Sequence, residues 1–166
     1  MADETPTREL QADYCYACAP DNPEGLGLTF EQTGPDTART EVTLRPELCG
    51  WKGIAHGGFV SLLIDETASW TFALCRREEH FATRSLQVRF LRPTPTGEPL
   101  TVTGAVVEDH GRTIEVTGEI HTADGGITAR GTVEIARLKG PMKDRFASGG
   151  VRRGGRPRGA APTDRG

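Results

Sequence analysis

The chain carries two hydrophobic periods. Residues 26–33 and 37–44 flank a Gly34-Pro35-Asp36 turn and read as two strands; in the second, Val42 and Leu44 fall opposite Glu41 and Thr43. Residues 46–55 hold Pro46, Gly50 and Gly53, which predicts an irregular connection. From Phe59 to Cys75 there is no proline, glycine, lysine or arginine, so nothing local interrupts a helix. Its apolar residues fall on nearly every side of the helical wheel, the mark of a helix buried inside a domain. Arg76 and Arg77 follow it, placing cations at the negative end of the helix dipole. Beyond them the period is two. Residues 82–91 set Leu86, Val88 and Phe90 against Ser85, Gln87 and Arg89, and Pro93, Pro95 and Gly97 end the run. Residues 100–108, 113–122 and 127–138 continue the pattern across turns at Asp109-His110-Gly111 and Ala123-Asp124-Gly125-Gly126. Ile114, Val116 and Ile120 share one face, as do Ile127, Ala129, Val133 and Ile135.

Two strands, one long apolar helix and four further antiparallel strands predict an α+β domain. The economical packing is a sheet curled around the helix. Such a sheet leaves edges without partners, and a long edge invites a second copy of the chain. No internal repeat is present. The helical run is too short, and carries two carboxylates, so it does not read as a membrane span.

Composition changes this picture little. The chain has 166 residues, 36% hydrophobic and 26% charged, which fits one ordinary globular domain with a core of useful size. Residues 1–14 are polar and read as a flexible lead-in without a signal-peptide core, so the expected compartment is cytoplasmic. Residues 15–138 form the predicted domain. Residues 139–166 hold eight basic and two acidic residues, leaving −9 for the remainder of a chain whose total is −3. That Gly/Arg-rich tail is expected to be disordered. Without interleaved aromatic residues it reads as a solubilising extension rather than a nucleic-acid contact. Cys15 and Cys18 amount to half a zinc site, but Cys49 and Cys75 supply no second pair, so neither a metal nor another cofactor is expected.

The chemistry is expected in the helix. Asp65 and Glu66 sit mid-way along a buried element, where a charge must be paired, solvated through a cleft, or used. A pairing of Asp65 with an arginine of the enclosing sheet, such as Arg84, is the structural alternative. Glu66 lies about 100° further round the helix and is a rival, expected to line a cleft or an interface. At the helix start, Gly57 and Gly58 present backbone N–H groups at the positive end of the dipole, which suits an oxyanion. Asp65 is eight residues on, about 12 Å along the axis. One chain therefore cannot bring both to one carbonyl. If Gly57 and Asp65 serve one reaction, they come from two subunits of a twofold dimer with two equivalent sites.

His56-Gly57-Gly58 followed by Leu63-Ile64-Asp65 resembles the signature of hotdog-fold acyl-CoA thioesterases of the phenylacetate-pathway type. The strand Leu86-Gln87-Val88-Arg89-Phe90-Leu91-Arg92-Pro93 is similar to the strand that follows in that family. Cys15-x-x-Cys18 with Asn22-Pro23-x-Gly25-Leu26 resembles the N-terminal loop of one branch. The resemblance spans residues 15 to 138. It implies a hotdog fold, a homodimer or a dimer of dimers, and hydrolysis of an acyl-CoA or acyl-carrier-protein thioester. It implies an acidic catalytic residue at Asp65, an oxyanion donor at the Gly57 N–H of the opposite subunit, and a water-positioning hydroxyl at Thr83. His56 belongs to the motif and is expected to shape the loop. Phe59, Leu62, Trp51 and Trp70 are candidate walls of the acyl site, and Arg92, Arg112 and Lys139 are candidates for the CoA phosphates. One departure is Gly50, where some members place an asparagine or glutamine. That departure leaves open a non-catalytic acyl-CoA-binding protein. Hydratase chemistry is disfavoured, because those relatives pair the aspartate with a histidine five residues on, and here that position is Trp70.

Overall fold

The structure, a computed structural model, describes residues 15–147. The expectations for residues 1–14 and for residues 148–166 of the tail lie outside the described residues. In chain order the elements are β1 (Glu31–Gly34), β2 (Thr37–Thr43), a 3₁₀ turn (Pro46–Leu48), β3 (Cys49–Trp51), β4 (Ile54–Ala55), α1 (Gly57–Arg76), β5 (Phe81–Phe90), β6 (Pro99–Asp109), β7 (Thr113–Thr122), β8 (Ile127–Arg137) and α2 (Pro141–Ala147). Six strands form one antiparallel sheet in the order β1-β2-β6-β7-β8-β5. The helix α1 packs against all six strands of this sheet.

The period-two faces predicted for the last strands supply the floor of the core. Ile114, Val116, Ile120, Ala129, Val133 and Ile135 are all fully buried, and Ile127 is half-buried at the strand end. From the helix come Val60, Leu63, Ile64, Ala68 and Phe72, each removed from water. Of these, the Val, Leu, Ile and Phe side chains each contribute about 1.5–3 kcal/mol on burial. The helix is not buried all round, however. Leu62, Asp65, Glu66, Ser69 and Trp70 are half-buried along one flank.

Three glycines bring the helix close. Gly104, Gly118 and Gly131 lie opposite one another across β6, β7 and β8. A Cβ on Gly131 would stand 2.7 Å from the Ile64 Cγ2, and one on Gly104 would stand 2.1 Å from the Thr71 Oγ1. Those distances are inside van der Waals contact, so this stripe sets how deep the helix sits. Arg137 clamps the far end: it bonds Glu78 and Asp109 and lies 5.4 Å over the Phe72 ring. Its guanidinium holds the Asp109 carboxyl well below the usual carboxylate range.

The structure corrects several sequence expectations. Residues 26–30 join no strand of the sheet; the N–H groups of Leu26 and Leu28 go instead to the carbonyls of Tyr16 and Ala17. Residues 46–55 hold regular structure after all, a 3₁₀ turn and the small β3-β4 hairpin closed around Gly53 at φ 77°. Residues 141–147, expected to be part of a disordered tail, form the helix α2. Phe90, assigned to the apolar face of its strand, is 59% exposed.

Candidate active site

The helix begins at a cap made by His56. Its extended backbone precedes the first turn, and its Nδ1 accepts from the Gly58 N–H at 3.0 Å. The His56 carbonyl accepts from Phe59 and Val60. Among the described residues no acceptor takes the Gly57 N–H. The first turn thus keeps one free donor, at its positive end. A Cβ on Gly57 would stand 3.3 Å from the Phe90 ring, so the end of β5 lies directly over this turn. Gly50 lies equally close to His56. Trp51, next to Gly50 in the chain, is 80% exposed.

Asp65 faces β5. Its Oδ1 accepts from the Thr83 Oγ1 at 2.7 Å. Simple alternation would put Thr83 on the outer face with Ser85 and Gln87. The pairing of β5 with β8 slips between Thr83 and Ser85, leaving Arg84 as a bulge. Thr83 therefore stands opposite Ile135 and shares the inner face with Leu86, opposite Val133. The bulge re-aims the hydroxyl at the helix. Arg84, the arginine suggested as a partner for Asp65, bonds Glu134 instead.

Glu66, about 100° further round the helix, faces the segment that precedes β1. Its Oε1 accepts from the Trp70 Nε1 at 3.1 Å, and the Cys15 Sγ lies 3.8 Å from it. Trp70 in turn stacks on Phe30 at 5.2 Å. Burial pushes the Glu66 carboxyl up to about 7. Cys15, Cys18 and Glu66 each present a ligand atom, all within 4.8 Å of one another. Sequence spacing missed this group because its carboxylate comes from a helix 48 residues beyond Cys18; the helix face of Glu66 was the signal that could have found it. Of the suggested acyl-site walls, Phe59 packs on Tyr16 at 5.9 Å and Leu62 packs at the edge of the core.

Comparisons with known proteins agree with this architecture. Residues 52–129 match the family model described as the thioesterase superfamily. A solved structure titled protein RHA08564, a thioesterase superfamily protein, superimposes with a TM-score of 0.68 at 31% identity, over 73% of this chain and 62% of that one. The protein of Mycobacterium tuberculosis named "Putative esterase Rv1847/MT1895" superimposes with a TM-score of 0.62 at 26% identity, over 69% of this chain and 94% of that one. In sequence alone it is 43% identical over 44 residues, 26% of this chain, so the chain spans about a third (31%) of that curated relative. The PaaI protein of Escherichia coli, from the phenylacetic acid degradation operon, shares the fold with a TM-score of 0.61 at 20% identity, over 68% and 84% of the two chains. No helix among the described residues is long and apolar enough to cross a membrane.

Proposed function

Residues 52–129 belong to the thioesterase superfamily and lie within a hotdog fold, and from that premise we propose that the protein hydrolyses acyl-CoA or acyl-carrier-protein thioesters. The observation that carries the reading is the Asp65 carboxylate, held by the Thr83 hydroxyl at the inner side of the edge strand β5. A thioester carbonyl is electrophilic enough for one carboxylate to suffice. As general base, Asp65 takes a proton from water while the water oxygen adds to the carbonyl carbon. The C–S bond then breaks, and the proton passes to the departing thiolate. As nucleophile, Asp65 would add to the carbonyl carbon and expel the thiolate as the C–S bond breaks, giving a mixed anhydride; water then cleaves it to the free acid and the Asp65 carboxylate, its proton going to the thiolate. In either route the Gly57 N–H receives the developing oxyanion.

The roughly 12 Å that eight residues of helix put between Gly57 and Asp65 supports a donor from a second copy of the chain, the Gly57 N–H of the partner subunit. The long strand β5, bonded on one side only, and the exposed Phe90, Leu91 and Trp51 support a homodimer, or a dimer of dimers. The reading places the enzyme in the cytoplasm. The test is release of free thiol from a panel of short-chain, long-chain and aryl acyl-CoAs and acyl-carrier thioesters. Turnover of at least one, lost in Asp65→Asn, is expected; a folded protein inert toward the whole panel would overturn the reading.

Gly50 favours a second reading, acyl-CoA binding without hydrolysis, because position 50, which packs against His56, carries no side chain to orient water. Tight acyl-CoA binding with no thiol release would select it.

A further inference from the structure

We propose that Cys15, Cys18 and Glu66 bind one zinc ion, which ties the N-terminal segment to the central helix. The proposal stands apart from the thioesterase reading. The two cysteines lie in a tight turn in which the Ala19 N–H bonds the Cys15 carbonyl, so both thiols project toward one point. Glu66 reaches that point from α1, and the three ligand atoms fall within 4.8 Å of one another. In a tetrahedral zinc site with Zn–S of about 2.3 Å, two sulfurs stand about 3.8 Å apart, so a small contraction closes the group on the metal.

Charge gives the second argument. Three groups that each become anionic converge in a half-buried place. The groups the structure sets beside the Glu66 carboxylate are Cys15, Cys18 and the Trp70 indole, none of them a cation. Ionised together with no cation between them, the three would repel one another at these separations. A divalent cation removes the conflict, displacing thiol protons as it binds.

The donor set selects the metal. Two thiolates favour zinc over magnesium or calcium, and three protein ligands leave a fourth position for water. The Trp70 indole supplies the outer support that metal-bound carboxylates commonly have, through its N–H to the Glu66 Oε1. Cys18 is 3% exposed, whereas Cys49 is exposed on β3 and remote from the cluster.

The experiment titrates the reduced full-length protein with zinc against a chromophoric chelator, and with cobalt(II) for its spectrum. One ion per chain is expected, with a thiolate-to-cobalt charge-transfer band in the near ultraviolet and tetrahedral ligand-field bands. Cys15→Ser and Cys18→Ser should each weaken zinc binding by more than about 100-fold, and Trp70→Phe by about 10-fold, the range of an outer-shell loss. Glu66→Gln should bind more weakly than wild type and show an altered cobalt spectrum. Cys49→Ser and Asp65→Asn should bind as wild type. Because Cys18 is buried and its variant can misfold, the deciding variant is Cys15→Ser with an unchanged circular dichroism spectrum. Reduced protein that takes up no zinc, or binding that survives Cys15→Ser or disappears in Cys49→Ser, would overturn the site. So would a Cys15–Cys18 disulfide that, once reduced, leaves a protein without metal affinity.

Discussion

Asp65 and Glu66 are consecutive carboxylates on one helix, yet they meet different surroundings. Asp65 turns toward the edge strand β5 and a hydroxyl donor at 2.7 Å. Glu66 turns beneath the N-terminal segment, to an indole N–H and two cysteines. A step of about 100° round a helix separates a carboxylate beside an open sheet edge from one within a half-buried cluster. The lesson is that the neighbours, rather than residue type, assign the work. Ile64, just before them, fixes the rotation of both by seating against Gly118 and Gly131.

The comparison breaks hardest at Asp65. Asp65→Asn is expected to lower thioester hydrolysis by about 10²- to 10⁴-fold, the range for a lost general base, with the fold intact by circular dichroism. Glu66→Gln should lower it by less than about tenfold, since its surroundings aim it elsewhere. Equal losses in the two variants would erase the distinction. Next in size is the seat of the helix. Gly131→Ala places a Cβ 2.7 Å from the Ile64 Cγ2 and 2.9 Å from the Gln87 carbonyl oxygen, so backbone must move. Denaturant unfolding should show a loss of about 1–3 kcal/mol, as overpacked cores do. Unchanged stability would mean that the helix does not rest on the glycine stripe. The smallest change sharpens Asp65 alone: Thr83→Ala should cost about tenfold in kcat/KM, in line with one hydrogen bond to a charged group, and Thr83→Ser should restore it. If serine fails to rescue, the threonine matters for packing and not for its hydroxyl.

Much of this was legible from period alone. The apolar run after Phe59 and the alternation through Ile114, Val116, Val133 and Ile135 name the helix and the strands it packs on, because burial imposes those periods directly. What stayed hidden depends on pairs distant in sequence. Leu26 and Leu28 alternate like a strand, but their N–H groups are taken by the segment around Ala17. The bulge at Arg84 reverses the facing of Thr83, and no local signal announces a bulge at a serine, arginine and threonine. Gly104, Gly118 and Gly131 look like three isolated weaknesses in three strands until registry lines them up. For the candidate site, Gly57 and Asp65 could be named from the motif, whereas the company kept by Glu66 required the fold.

The most direct measurement pairs two inactive variants. Asp65→Asn removes the carboxylate. Gly57→Pro removes the N–H at the first helical position, where proline is tolerated and where the extended backbone of His56 suits a following proline. Each variant alone should be inactive. A purified heterodimer of the two holds one site with both an intact Asp65 and an intact Gly57 from the other subunit, so it should recover about half the wild-type turnover per dimer. A heterodimer that stays inactive while both chains remain folded and associated would contradict the shared site.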